Sequence, residues 1–174
     1  MNKLNNFSNF QNWARPSPEN RVFYSTELDV YLDEISQKID NPELRHLFIN
    51  TFANTVDTTA YNYIRDGKNH TYIITGDIEA MWLRDSTAQV WHYLPLVKTS
   101  VEIDTLLTGL IANQARCILI DPYANAFYDE DKLGIHATDM TQMLPGVHER
   151  KWELDSLIYP IALATAYWKL TQSH

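Results

Sequence analysis

Apolar residues recur at three- and four-residue steps along much of the chain, and each such run predicts an amphipathic helix. The first run predicts a helix over residues 26–39. A second helix should begin at Asn41, whose side chain can cap it, with Pro42 in the first helical position. Gly67 then supplies a stop signal, so this second helix is expected to end near it.

Three further helices are predicted in the second part of the chain. One should start at Asp85 or Ser86 and continue to the neighbourhood of Pro95. The next presents one face that consists of Ile103, Leu106, Leu107, Leu110, Ile111, Gln114 and Ile118. The last presents a stripe that consists of Leu154, Leu157, Ile158, Ile161 and Thr165, and this stripe needs partners.

The segments between these helices lack helical periodicity. Residues 1–24 are rich in Asn, Ser and Pro and predict an irregular lead-in, anchored by Phe7, Phe10 and Trp13. Residues 72–74 are strand-like and a turn follows at 75–77, whereas residues 121–150 resemble a loop. Because no sustained alternation of period two is present, the pattern predicts an all-α fold.

Composition narrows the classes of function. A length of 174 residues suits one domain, and a formal net charge of -8 argues against a nucleic-acid-binding surface. The single cysteine, Cys117, lies in an apolar run and is expected to be a small buried side chain. No segment has the pattern of a signal peptide or the expected apolarity of a membrane span, so we expect a cytoplasmic protein without a membrane partner.

The segment "WLRDS" combines chemistry that neither a core nor a solvated face needs. Arg84 offers a planar fork of donors, Asp85 offers two acceptor oxygens, and Trp82 offers an apolar face. Together they suit the hydroxyl groups and the apolar face of a sugar. The structural alternative is that Asp85 caps a helix, Arg84 pairs with a neighbouring acid and Trp82 lies in the core.

Two other segments carry comparable groups. In "ERKWELDSL", Glu149, Glu153 and Asp155 surround a tryptophan at the expected start of a helix, where acids also favour the helix dipole. In "DPYANAF", Tyr123 and Asn125 suit hydroxyl recognition, or simply form a turn. The six histidines form no recognisable metal site, since His136 and His148 stand apart in the sequence. No cofactor or metal is therefore expected.

Three segments together resemble glycoside hydrolase family 125: "TGDIEAMWLRDSTAQVWHYLPL", "IDPYANAFY" and "ERKWELDSLIYPIALA". The resemblance extends from about residue 20 to residue 174. Members of this family are metal-independent exo-acting α-1,6-mannosidases that invert the anomeric configuration. The resemblance thus implies a ligand that is an α-mannoside or an oligosaccharide derived from an N-glycan.

The resemblance also implies an architecture. The family fold is an (α/α)6 barrel, of which residues 25–174 would form an incomplete N-terminal part with about five helices. The missing C-terminal half would be a natural partner. Inversion needs a general acid and a general base about 6.5–9.5 Å apart, and both are expected to follow residue 174. The implied mannose-binding residues are Asp77, Trp82, Arg84, Asp85, Tyr123, Asn125, Glu153 and Asp155.

Two other functions remain open from the sequence. A small helical module could bind carbohydrate without catalysis, since it would keep only the wall of the pocket. Alternatively, the apolar helix faces could bind a partner chain. The leading interpretation is an α-mannosidase chain that carries part of the sugar pocket and is inactive alone.

Overall fold

The computed structural model describes residues 14–172, so the proposed anchors Phe7, Phe10 and Trp13 lie outside the described residues. About half of the described residues are helical and 13% are in strands. The described helices are α1 (Thr26–Ser36), α2 (Pro42–Phe52), α3 (Asn54–Thr58), α4 (Leu83–Ala88), α5 (Val101–Ile120) and α6 (Leu154–Thr171), with short 3₁₀ helices at Pro18–Asn20 and Trp91–Leu96. The described strands are β1 (Ala60–Arg65), β2 (Lys68–Ile73), β3 (Met81–Trp82), β4 (Ala126–Phe127) and β5 (Val147–Glu149).

The prediction of an all-α part of an (α/α)6 barrel is wrong, because the described residues also form two antiparallel sheets. One sheet is the hairpin β1–β2, and the other has the strand order β3-β4-β5. The hairpin occupies a stretch where a continuous helix was expected to reach Gly67. The three-stranded sheet crosses the stretch 121–150 that was expected to be a loop.

Local signals predicted the beginnings of several helices correctly. The Asn41 side chain accepts hydrogen bonds from the backbone N–H groups of Glu43 and Leu44 at 2.9 and 3.0 Å, as an N-cap should. Ser25 caps α1 and Ser100 caps α5 in the same way. The helix expected from Asp85 or Ser86 begins slightly earlier and gives way to the 3₁₀ helix at Trp91–Leu96.

The hairpin β1–β2 replaces the second part of the predicted second helix. The helix α2 ends at Phe52, whose carbonyl oxygen accepts a hydrogen bond from Tyr93 Oη at 2.7 Å. Asp66 and Gly67 both have positive φ, 51° and 73°, which is the conformation that a two-residue type I′ hairpin turn requires. Gly67 therefore turns a hairpin and does not end a helix. The strand-like character of residues 72–74 is confirmed for the end of β2.

The lead-in from residue 14 onward is held to the body by ion pairs. The Arg15 guanidinium donates to both carboxylate oxygens of Asp57 at 2.7 and 2.9 Å and to Asp29 at 2.7 Å. Asp57 is almost fully buried, so removing the guanidinium would leave a buried carboxylate poorly paired. The ion pairs fix the chain entering α1 against α3.

The long helix α5 forms the centre of the core. Its buried apolar residues pack against β2 and α6 and include the predicted face members Ile103, Leu106, Leu107 and Leu110. Cys117 is buried on this helix, as expected. By length and composition α5 could also span a membrane, which corrects the expectation that no segment approaches this apolarity. Its buried face is nonetheless typical of a core helix.

Two amide side chains on α5 fix its neighbours. Asn113 Nδ2 donates to the carbonyl oxygen of Thr71 on β2 at 3.0 Å. Gln114 Nε2 lies 2.9 Å from both Ser86 Oγ and Thr87 Oγ1 on α4. The helix therefore holds the hairpin on one side and the short helix α4 on the other.

The last helix, α6, buries a different face from the predicted stripe. Leu163 and Tyr167 are buried, and Tyr167 Oη donates to Asp104 on α5 at 2.6 Å. The stripe residues Leu154, Ile158 and Ile161 are instead half or more exposed. The spacing of apolar residues identified the helix correctly, but the side that packs against α4 and α5 is not the predicted stripe.

Gly109 marks the closest approach of α5 to the hairpin, and its replacement tests this packing. A Cβ atom there would lie 2.5 Å from Thr71 Oγ1 and 2.9 Å from the backbone nitrogen of Thr71. Replacing Gly by Ala ordinarily stabilises a helix by about 1 kcal/mol, but here the steric cost of the added methyl group should be larger. We expect Gly109→Ala to lower the free energy of unfolding by about 1–3 kcal/mol in urea denaturation.

The control is Leu119→Ala, at a position of α5 that is 86% exposed. This variant should unfold at the wild-type urea concentration. A Gly109→Ala protein that is as stable as the wild type would show that α5 does not press on β2 as described.

Candidate functional site

The candidate site lies where the first turn of α4 meets the first turn of α6. Arg84 Nη1 donates to Asp155 Oδ2 at 3.0 Å and to Glu153 Oε2 at 3.3 Å. Arg84 Nη2 also lies 3.3 Å from Asp85 Oδ2. The structure thus brings together four of the predicted residues around one guanidinium, from segments about 70 positions apart in the chain.

These contacts agree in part with the structural alternative for "WLRDS". Arg84 does pair with neighbouring acids, and Asp85 and Asp155 both lie in first helical turns where the helix dipole favours them. Asp85 is not the N-cap, however, because that position belongs to Trp82. The cluster still has one cation against three carboxylates, and the Arg84 side chain is 37% exposed. Its remaining N–H groups and the exposed oxygens of Glu153 and Asp155 can therefore meet a ligand.

The hydrogen bond with Asp155 raises the pKa of Arg84 further above its ordinary value, since each carboxylate favours the charged guanidinium. Ser156 Oγ donates to the same Glu153 oxygen at 3.0 Å. The acids of the cluster are thereby oriented before any ligand arrives. Such fixed orientation is what a polar binding wall needs.

Glu149 organises the second part of the site, although it was not among the mannose-binding residues that the resemblance implied. Its Oε2 atom accepts from Asn125 Nδ2 at 2.7 Å and from Trp82 Nε1 at 3.3 Å. Its Oε1 atom is paired with Lys151 Nζ. Because strand β4 pairs with both β3 and β5, the three-stranded sheet places Trp82 and Glu149 side by side.

Asn125 is fully occupied within the protein. Besides its bond to Glu149, its Oδ1 atom accepts from the backbone N–H of Lys151 at 3.0 Å, and the residue is 1% exposed. Its backbone carbonyl also accepts from the Leu83 N–H at 3.1 Å. Asn125 therefore positions the start of α4 and the segment after β5, and no side-chain hydrogen-bonding group faces solvent.

The environment of Glu149 keeps it ionised. Burial alone would raise its pKa, but the hydrogen bonds from Lys151, Asn125 and Trp82 outweigh burial and lower the pKa. A general acid needs the opposite, a pKa raised toward the working pH. Glu149 is therefore a poor proton donor and a good orienting group for the Trp82 indole.

Two of the predicted residues lie away from this cluster. Tyr123 is 56% exposed, and its ring lies beneath the Arg150 guanidinium at 5.5 Å. Arg150 in turn donates to the buried Asp121 at 2.6 Å, so the loop after α5 is tied to the end of β5. Asp77 lies exposed in the turn of residues 75–78, beside the residues that lead into β3. The structure does not bring Asp77 into contact with Arg84.

Histidine packing at the site was missed from the sequence. The His148 ring meets the Trp82 ring edge-on at 5.0 Å and the Tyr128 ring at 4.9 Å. His136 and His148, which stand apart in the sequence, have rings 5.2 Å apart in the structure. Within residues 14–172, no group of three or more His, Cys, Asp or Glu side chains is arranged to hold a metal ion.

The lowered pKa of Glu149 predicts how stability depends on pH. Glu149→Gln removes the charge that the three donors stabilise, so we expect the free energy of unfolding to fall by about 1–3 kcal/mol at pH 7. A carboxyl whose folded pKa is lowered stabilises the protein above its unfolded pKa, about 4.3. The difference from the wild type should therefore shrink as the pH falls below about 4.

Urea denaturation at pH 7 and at pH 3 measures this difference. Glu79→Gln is the control, because its side chain is 82% exposed. A deficit of Glu149→Gln that stays the same at both pH values would contradict the assignment of the charge as the stabilising feature.

Comparison with known proteins identifies the family. Residues 41–174 match the family described as metal-independent alpha-mannosidase (GH125). The chain is 35% identical over 169 residues to the meiotically up-regulated gene 157 protein of Schizosaccharomyces pombe, and the match covers 92% of this chain and 33% of that protein.

A solved structure is also similar. It is that of a metal-independent α-mannosidase of Streptococcus pneumoniae, in a non-productive substrate complex with α-1,6-mannobiose. The identity is 41% and the TM-score is 0.79, over 87% of this chain and 35% of that one. The chain thus spans about a third of the length of these relatives. With the match over residues 41–174, these similarities show that the chain belongs to glycoside hydrolase family 125, the metal-independent α-mannosidases.

Proposed function

We propose that this chain supplies part of the mannose-binding wall of an exo-α-mannosidase that releases terminal α-1,6-linked mannose with inversion. The observation that carries the proposal is the cluster of Arg84 with Asp85, Glu153 and Asp155, next to the Trp82 indole. Family membership and the similarity to a mannosidase structure with bound α-1,6-mannobiose support the reaction and the linkage.

The roles within the wall follow from the contacts. The Arg84 guanidinium donates to sugar hydroxyls, and the carboxylates that orient it accept from neighbouring hydroxyls. Trp82 offers an apolar face, and Glu149 fixes the plane of its indole. Asn125 acts as a positioning residue, whereas Tyr123 and Asp77 lie apart from the Arg84 cluster. The ligand is an α-mannoside or an oligosaccharide derived from an N-glycan.

The general acid and general base belong, in this proposal, to a part of the family domain that these residues do not include. Glu149, the carboxylate that contacts Trp82, is ionised and accepts hydrogen bonds from three donors, which argues against Glu149 as the general acid. The chain also spans only 35% of the similar mannosidase chain, so most of that enzyme has no counterpart here. We propose a cytoplasmic location, without nucleic-acid or membrane partners. The net charge of -8 argues against nucleic-acid binding.

A role in binding a partner is the second candidate, and the outer face of α6 favours it. Leu154, Ile158 and Ile161 are 58%, 50% and 63% exposed on one side of this helix. Apolar patches of this kind mark interaction surfaces. The remaining part of the family domain is the partner that we propose for this face.

Hydrolysis of α-1,6-mannobiose tests the proposed function. The chain alone should release no mannose, whereas a chimera with the C-terminal remainder of the Streptococcus pneumoniae enzyme should release it. Arg84→Ala and Asp85→Ala in the chimera each remove hydrogen bonds to hydroxyls in a desolvated pocket. We expect a loss of kcat/KM equivalent to on the order of 2–4 kcal/mol.

Asp40→Ala makes the same chemical change at an exposed position outside the site and should leave kcat/KM unchanged. Undiminished kcat/KM in both site variants would show that Arg84 and Asp85 do not bind the sugar. Mannose release by the chain alone would show that it carries its own acid and base.

The exposed face of α6 predicts self-association of the isolated chain. Because three large apolar side chains contact solvent there, we expect oligomers in size-exclusion chromatography with light scattering. The double variant Ile158→Lys/Ile161→Lys should be monomeric, with a melting temperature close to that of the wild type. Val101→Lys, at a position 77% exposed on α5, is the matched control and should not change the association. A monodisperse wild-type monomer would be inconsistent with this role for the face.

A further inference from the structure

A cavity lies between the β1–β2 hairpin and the residues that follow β4, apart from the Arg84 cluster. Its volume is about 410 Å³, which is within the range of small-molecule sites. Four tyrosines line it, Tyr61, Tyr63, Tyr72 and Tyr128, and we refer to it as the tyrosine cavity. Charged side chains stand at its rim.

Strand pairing aligns three of these rings. Tyr61 and Tyr72 are direct partners across the hairpin, and Tyr63 follows Tyr61 on the same face of β1. Tyr72 Oη donates to the carbonyl oxygen of Phe127 at 3.1 Å, which ties the hairpin to β4. Tyr128, the residue after β4, completes the wall. The hairpin that interrupts the helical pattern thereby builds one side of a cavity.

The hydroxyl group of Tyr63 points to a ligand. It is buried and makes no hydrogen bond of good geometry within the described residues. Burial and the neighbouring Asp129 carboxylate raise the pKa of Tyr63 to about 12, so the hydroxyl keeps its proton at neutral pH. The side chains of Asp129 and Arg65 lie near this hydroxyl without forming a well-aligned hydrogen bond, so a bound ligand would complete its hydrogen bonding.

The charges around the tyrosine cavity exclude several classes of ligand. Lys132 Nζ already lies over the Tyr128 ring at 4.7 Å, which is the position that a cationic ligand would take. The rim carboxylates of Glu79, Asp129 and Glu130 repel an anion. A purely apolar ligand would leave the Tyr63 hydroxyl without a partner. A neutral polyol satisfies all three conditions, because it has apolar faces for the rings and hydroxyls for the carboxylates.

We propose that the tyrosine cavity is a second carbohydrate-binding site, which holds a further hexose unit of the glycan whose terminal mannose lies at Arg84. The identity of that glycan rests on the proposed function, whereas the preference for a neutral polyol rests on the cavity lining. The two sites are close, since the His148 ring contacts both Tyr128 and Trp82. A glycan of several units can therefore contact both.

Amide chemical shifts of the ¹⁵N-labelled chain test the proposal, with methyl α-mannoside and α-1,6-mannobiose as probes; the chain carries Ile158→Lys/Ile161→Lys so that it is monomeric. We expect shifts for residues 61–63 and 128–132, and a separate set for residues 82–85. Tyr61→Ala removes an exposed ring from the tyrosine cavity and should abolish the first set only. Tyr24→Ala removes an exposed tyrosine elsewhere and should change neither set.

Tyr63→Phe separates binding from folding. Because the hydroxyl makes no hydrogen bond of good geometry in the free protein, its removal should leave the melting temperature unchanged or raise it. The same variant should weaken sugar binding at the tyrosine cavity by about three- to tenfold, the effect of one hydrogen bond. A purely structural tyrosine would not show this combination.

The two sets of shifts distinguish failure of this proposal from failure of the proposed function. Shifts confined to residues 82–85 would overturn the second site and leave the mannose wall intact. Shifts confined to the tyrosine cavity would support the second site and show that the Arg84 cluster does not bind the sugar. Tetramethylammonium should produce no shifts at the cavity; if it does so and the sugars do not, the cavity binds cations and the proposal is wrong. Wild-type affinity in both Tyr61→Ala and Tyr63→Phe would also overturn it.

Discussion

Two buried amide side chains on the central helix hold the functional parts of this protein in register. Asn113 bonds the backbone of β2, and Gln114 bonds the hydroxyls of Ser86 and Thr87 on α4. Both side chains are buried, where an amide that lost its partners would be strongly destabilising. The helix α4 therefore has one position relative to the hairpin, and Arg84 in its first turn is fixed with it.

Hydrogen bonds in the candidate site hold α4 to further elements. The Arg84 guanidinium joins α4 to the first turn of α6, and Glu149 joins the start of α4 to β5 through Trp82 and Asn125. Every one of these groups is oriented by a protein partner before a ligand binds, which reduces the ordering that binding requires. The same sheet that places Trp82 places Tyr128 next to the hairpin, so two ligand-sized features share one scaffold. This arrangement suits an extended glycan better than a single small sugar.

The failure of the all-α prediction has a specific cause. Strand β1 contains tyrosines on its half-exposed positions, so its alternation of apolar and polar residues is weak. The pair Asp66-Gly67 was the available signal, since Asp-Gly between two such stretches is typical of a type I′ hairpin. The strands β3, β4 and β5 have only two or three residues each, too few for any period to show. They exist because distant segments pair, and a local pattern cannot report that.

The sequence by itself determined the positions of most helices, the cap at Asn41, and the segments that carry the family resemblance. These depend on interactions between residues three or four positions apart, so they can be read from spacing. The resemblance implied that Arg84, Glu153 and Asp155 serve one binding site, but it did not imply the role of Glu149. Trp82 and Glu149 are 67 positions apart, and the indole and carboxylate meet only because β4 lies between their strands. The face that α6 buries was likewise decided by the tertiary structure, because two apolar sides competed and packing against α4 and α5 selected one.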